Sequence, residues 1–221
     1  MAIIAVLNQK GGSAKTTTVL NIAGELARRG ARVLVVDTDP QMTSSDWRNR
    51  RGERDDITVA AIPRAPSIVG DVPKLAAGYD VTLIDGAGSV SDLAAASVKI
   101  ADAVLIPVQP SAKDLWATQG IVDLVRTRHQ VTGNGKPPAV FIVARAIANT
   151  RAAREVDEVL LQLGLPVLDA RMHNRQAYAS CDHSGQAVCE YEPNGDAARE
   201  IAAIVDELLE NAILPKLKES V

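Results

Sequence analysis

Apolar residues along this chain come in short dense runs, and between the runs they recur every three or four positions. The runs Ile3–Leu7, Arg32–Asp37, Val81–Asp85, Ala103–Val108, Ala139–Val143 and Pro166–Leu168 are mostly rich in branched residues and do not alternate strictly with polar ones. That is the pattern of strands covered on both faces, as in a parallel sheet. The periodic stretches predict helices over Thr17–Arg29, 91–100, 114–129, 151–163 and 196–211, the first closed by Gly30 where a C-cap takes glycine. Strand and helix in alternation predict βαβ units, hence an α/β fold with a mostly parallel central sheet flanked by helices on both faces. Residues 52–74 are poorly patterned and punctuated by Pro63, Pro66 and Pro73, which predicts irregular connections with room for one short strand. No repeat, low-complexity tract or linker divides the 221 residues, so one domain over 1–221 is expected.

Directly after the first run stands Asn8-Gln9-Lys10-Gly11-Gly12-Ser13-Ala14-Lys15-Thr16-Thr17-Thr18-Val19. A strand, a glycine-bearing loop, a lysine and a hydroxyl residue opening a helix make a cradle for nucleotide phosphates. Backbone N–H groups converge on the phosphate oxygens, glycine lets the backbone close in, and lysine adds a mobile positive charge. In the general pattern G-x-x-x-x-G-K-[ST] the last hydroxyl, here Thr16, serves Mg²⁺. Ala14 stands where the second glycine belongs, and Lys10 precedes Gly11. Unfavourable backbone placements of a Cβ cost roughly 1–3 kcal/mol, so Ala14 is expected to weaken or slow nucleotide binding without abolishing it.

Two further strand ends carry carboxylates. Asp37-Thr38-Asp39-Pro40-Gln41 closes the second run and Leu83-Ile84-Asp85-Gly86-Ala87-Gly88 the third. Phosphoryl transfer needs water placed and charge neutralised more than it needs a strong base, and a carboxylate at a strand's C-terminal edge suits both. Asp85 is a candidate to hold Mg²⁺ through water, with glycines that let the loop rearrange. Three strand ends on one edge of a parallel sheet are where ligands bind in this architecture.

The string from Lys10 to Thr17 resembles the deviant Walker A motif of the ParA/MinD family, KGGxGKT[ST], with Ala14 the one mismatch. The resemblance covers essentially the whole chain and is to the compact, ParF-like ParA branch of these P-loop NTPases. It implies ATP/ADP and Mg²⁺ as cofactors, with Gly11, Gly12, Ser13 and Ala14 lining the phosphates. By the same resemblance Lys10 reaches the partner's phosphates in a nucleotide-sandwich homodimer, and Lys15 binds the β- and γ-phosphates of its own subunit. Thr16 then coordinates Mg²⁺ and Thr17 contacts the α-phosphate. Asp39 would position the attacking water and join Thr16 and Asp85 at the metal, while Pro107, Pro110 and Arg145 would fall near the adenine. The stretch from Arg171 to Tyr178 is similar to a family segment near non-specific DNA sites. Arg171 and Arg175, four apart, are therefore the DNA candidates, since charge alone gives sequence-independent binding. On this reading Arg145, Arg151 and Arg154 extend the same basic surface.

Composition narrows the choice only a little. A formal charge of −3 excludes a protein that is basic all over and leaves a local patch open. Arg48, Arg50, Arg51 and Arg54 are offset by Asp46, Glu53, Asp55 and Asp56 and are given no DNA role. Cys181 and Cys189 lack a second pair of metal ligands and lie too late in the chain for the family's iron–sulfur proteins, so buried or incidental thiols in a reducing cytoplasm are expected. No secretory signal or apolar stretch of spanning length is present. The first strand begins at Ala2 or Ile3, so no helix-turn-helix is expected ahead of it. The acidic segment 199–221, broken by Pro215, is expected to pack on its own domain and not on a membrane. A cytoplasmic, nucleoid-associated ATPase is expected. Its cargo is left open between DNA, through a ParB-like centromere-binding protein, and a protein body such as a carboxysome, through an adaptor. A nucleotide switch that scarcely hydrolyses is the third reading.

Overall fold

The computed structural model describes residues 1–89, 91–147 and 150–217, with backbone alone for 112 and 151–155. Its strands are β1 (Ala2–Val6), β2 (Val33–Asp37), β3 (Ile57–Ala61), β4 (Val81–Asp85), β5 (Ala103–Val108) and β6 (Ala139–Val143). They pair in the order β3-β2-β4-β1-β5-β6, every pair parallel. The helices are α1 (Lys15–Arg28), α2 (Thr43–Arg50), α3 (Ala65–Gly70), α4 (Val72–Ala76), α5 (Asp92–Ile100), α6 (Ala112–Thr132), α7 (Arg151–Gln162), α8 (Gln176–His183), α9 (Val188–Tyr191) and α10 (Asp196–Glu210).

The unbroken apolar runs follow from a sheet buried twice. Successive side chains of a strand point to opposite faces. Ala2, Ile4 and Val6 of β1 accordingly join one core with α1, α8, α9 and α10, whereas Ile3, Ala5 and Leu7 join the other with α3 to α7. In β2, Val33 and Val35 take the first core and Leu34 and Val36 the second. Neither face is left for polar residues, which is why alternation is missing. With β1 and β4 in the middle of the sheet, the ends of β1, β2 and β4 lie side by side, and the register sets Asp37 beside Asp85.

Three expectations change. The stretch 52–74 holds β3 and two short helices; β3 is an edge strand, buried only at Ile57, so its sequence carries a weak hydrophobic signal. Pro166–Leu168 is not a strand but touches β6 through the single bridge Phe141–Val167, because Pro166 has no N–H to extend a ladder. The segments 43–50, 176–183 and 188–191 are helical, their polar composition having hidden the period. The C-terminal expectation holds over the described residues: α10 buries Ala197, Ala198, Ile201, Ile204, Val205 and Leu208 against the protein, with Lys218 and Glu219 outside them. Among the described residues no helix is long and apolar enough to cross a membrane. Cys181 and Cys189 are free and buried, and burial pushes their thiols up to about 12 and about 11. They are packing residues.

If α10 is a core helix, Ile201→Ala removes a fully buried side chain and is expected to cost about 2–5 kcal/mol in urea unfolding. A loss below about 1 kcal/mol would show α10 to be a loosely attached segment.

Candidate nucleotide site

Beyond β1, Leu7 N–H donates to Leu105 O at 3.0 Å and the chain turns through Asn8, whose side-chain amide donates to Pro107 O at 2.7 Å. Asn8 Oδ1 in turn accepts the Lys10 N–H at 3.1 Å, and Gln109 Nε2 donates to Gly12 O, so the loop is pinned from β5. Gly12 has φ +76° and Ala14 has φ +69°. Ala14 therefore occupies the left-handed conformation for which glycine is ordinarily used, and it is the N-cap of α1 with no side-chain acceptor. The first N–H groups of α1 are left without an intrahelical partner, and no acidic residue stands in the first turn. Lys15 lies among them, 7% exposed, with its ammonium donating to Lys10 O at 3.1 Å. Burial lowers its pKa, and Asp85 and Asp39 pull against that shift. Uncapped N–H donors beside a buried lysine ammonium form an anion site.

Facing it are the carboxylates. Asp37 is spent on structure: its Oδ1 accepts the Asp39 N–H at 3.1 Å, and its Oδ2 accepts Ser45 N–H at 3.0 Å and Ser45 Oγ at 3.1 Å. This turn presents Asp39, whose Oδ1 accepts only the Gln41 N–H among the described contacts. Asp85 is 1% exposed; Ser44 Oγ donates to its Oδ2 at 2.7 Å while Oδ1 is buried with no hydrogen-bond partner. Burial pushes Asp85 up to about 6, against the pull of the Ser44 and Thr16 hydroxyls and of Lys15. An orphaned buried carboxylate oxygen beside a threonine hydroxyl fits a hard cation. Among the described residues no cluster of His, Cys, Asp or Glu could hold a metal alone. A cation held by Thr16, Asp85 and Asp39 would share its shell with phosphate oxygens and water, as Mg²⁺ does, and would neutralise phosphate charge. Ser13 Oγ is a second buried orphan in the loop. Gly86 needs its missing Cβ, which would sit 2.9 Å from Val6 O and overlap Leu7.

Lys10 does not point away from its own chain: Nζ lies 2.9 Å from Asp114 Oδ2 at the start of α6, and Asp114 also accepts from Ser111 Oγ. Asp114 was missed in the sequence although Ser111-x-x-Asp114 is a helix-start signature. Ser44 and Gln109 carried no signal of their own.

Two clefts sharing Ala14, Thr17 and Arg145 run across this edge. One, about 300 Å³, follows Gly11 to Thr17 past Asp39, Gln41 and Gly88; the other, about 250 Å³, lies among Met172, Asn174, Arg175, Tyr178 and Asp182. The first, with its uncapped amides and Lys15, is the one whose lining suits phosphates. Arg145, itself at φ +53°, spans both, while Pro107 and Pro110 line neither. A larger cleft of about 490 Å³ beside Met1, Arg32 and Asp80 has its arginine and aspartate paired at 3.1 Å and holds no such cradle.

The DNA candidates are engaged in cis. Arg171 pairs with Asp157, and Arg175 pairs with Asp196 at 2.7 Å and Glu200 at 2.6 Å while lining the second cleft. The side chains of Arg151 and Arg154 lie outside those described. Arg51 is buried between Asp56 and Glu190, and Arg48 pairs with Asp55, so two of that cluster's four arginines are offset by carboxylates.

Comparison with known proteins decides the family. A sequence model of the CobQ/CobB/MinD/ParA nucleotide binding domain matches residues 4–188. The chain belongs to that family. Its relatives include the "Chromosome-partitioning ATPase Soj" of Thermus thermophilus, 27% identical over 93% of this chain and 94% of that one. Another, "Maintenance of carboxysome distribution protein A" of Halothiobacillus neapolitanus, is 30% identical over 93% and 95%. Among solved structures, a chain of the "MinC:MinD cell division protein complex" of Aquifex aeolicus superimposes with a TM-score of 0.78 at 17% identity, covering 100% of both chains. The fold of that chain is the one seen here.

Asp85 holds its proton more tightly folded, at about 6, than at the ordinary 3.8. Its contribution to stability is therefore full below about pH 4 and lost as pH rises through 6. Asp85→Asn is expected to raise the stability of nucleotide-free protein at pH 8 by on the order of 2–3 kcal/mol, with the gain roughly halved at pH 5. A loss, or a gain equal at both pH values, in thermal melts would contradict the assignment. For Ala14→Gly, relief of left-handed strain, about 1–2 kcal/mol, is set against a lost buried methyl, about 0.8 kcal/mol, and a looser unfolded chain, about 0.4–1 kcal/mol. Stability within about 1 kcal/mol of wild type is expected.

Proposed function

We propose that this chain is a Mg²⁺-dependent ATPase of the ParA type. ATP assembles it into a homodimer across the phosphate cradle, the dimer binds DNA non-specifically, and a ParB-like partner stimulates hydrolysis and release so that a DNA cargo is segregated. The observation that carries the reading is the pairing, on one sheet edge, of an uncapped helix start bearing Lys15 with the orphaned oxygen of Asp85. The first asks for an anion and the second for a cation, and Mg-ATP answers both. Asp39, held by the Asp37 turn, is the candidate for orienting water. Lys10 is the candidate for the partner's phosphates once it leaves Asp114. Arg171 and Arg175 remain the DNA candidates, since partly exposed ion pairs are worth only about 0–1 kcal/mol and exchange readily for DNA phosphates.

Positioning of a protein body is the second reading, supported by the full-length similarity to a carboxysome distribution protein. Both readings share the ATP and DNA steps and differ in the adaptor. Sedimentation with DNA in ATP, in ADP and without nucleotide tests the shared steps: retention in ATP alone is expected, and equal retention in all three would contradict the cycle. Lys10→Ala is expected to keep nucleotide binding within about threefold while losing the ATP-induced dimer in light scattering. A dimer as stable as wild type would remove Lys10 from the interface.

A further inference from the structure

Ser44 spends its hydroxyl in an unusual way. It stands in the first turn of α2, whose N-cap, Met42, is at φ +52° with no side-chain cap. A serine in that turn could satisfy the exposed helix start. Ser44, 0% exposed, donates across 41 residues to Asp85 Oδ2 at 2.7 Å. Its neighbour Ser45 does the same for Asp37. Two adjacent hydroxyls of one helix thus fix the carboxylates that end two adjacent strands.

For Asp85 the consequence is chemical. A carboxylate free to rotate offers either oxygen, or both, to a cation. With Oδ2 held by Ser44, Oδ1 is the oxygen left without a partner and the one turned to accept a cation. We infer that Ser44 is a positioning residue for the cation: its buried hydroxyl, five residues beyond Asp39, holds Asp85 so that one oxygen is presented to Mg²⁺, and it ties α2 to the presence of the metal. The inference rests on the nucleotide reading above and adds to it a buried residue that lines neither cleft.

ADP is the suitable probe, because it involves neither hydrolysis nor ATP-driven dimerisation. Its affinity is measured with Mg²⁺ and with EDTA for wild type, Ser44→Ala and Ser44→Thr. Expected is an Mg²⁺-dependent gain in wild type that falls about tenfold in Ser44→Ala, the scale of one hydrogen bond to a charged group, with unchanged affinity in EDTA. Ser44→Thr, which keeps the hydroxyl, restores most of the gain. Mn²⁺ bound alongside ADP, counted by electron paramagnetic resonance, should weaken in parallel. An equal or larger Mg²⁺ effect in Ser44→Ala overturns the inference, and so does an equal loss in EDTA, which would make Ser44 a support of the fold. Failure of wild type to bind ADP at all would instead remove the nucleotide reading itself.

Discussion

A helix that starts without a cap is short of acceptors, and α1 starts so at Ala14, with Lys15 buried in the same turn. Opposite it, Asp39 and Asp85 bring negative charge to the ends of β2 and β4. Neither side is balanced by the other at contact: Lys15 donates to a backbone carbonyl, and Asp85 Oδ1 accepts no hydrogen bond. An anion alone would satisfy the amides but face two carboxylates, and a cation alone would face Lys15. A phosphate with its metal resolves both, which makes the charge separation across this edge the constraint around which the site is built.

The sheet keeps that separation. Because both faces are buried, a one-residue slip of β2 or β4 would exchange the contents of two cores at once. The register that sets Asp37 beside Asp85 is therefore held by packing far from the site. The loops are then fastened crosswise: Asn8 and Gln109 tie the phosphate loop to β5, and Ser44 and Ser45 tie α2 to β4 and β2. At its other end α2 is fixed by Trp47 Nε1, which donates to Gln186 O at 3.2 Å, and by Arg51. Both bonds go to the connection between α8 and α9.

What could be read from the chain beforehand was whatever local chemistry dictates. The strands of the sheet centre were visible because burial on both faces leaves only apolar residues, and the loop from Lys10 to Thr17 because its glycines, lysines and threonines have few other uses together. β3 escaped because an edge strand needs little hydrophobicity. α8 escaped because its buried residues are Tyr178 and Cys181 among polar neighbours. Ser44 and Asp114 escaped for a different reason. Each acts through a partner 41 or 104 residues away, and nothing in a local pattern marks which serine or aspartate the fold will select. Arg175 shows the converse: two arginines four apart suggested a free basic surface, and the fold supplied Glu200 and Asp196 to Arg175 and Asp157 to Arg171.

The central claim is that the helix start at Ala14 and Lys15 binds phosphate together with its metal. Calorimetric titration of folded wild-type protein and of Lys15→Ala with Mg-ATP tests it most directly. Saturable one-site binding that Lys15→Ala reduces by at least tenfold, and that fades when Mg²⁺ is chelated, is the result expected. No heat from the wild type, or equal affinity in the two proteins, would contradict it.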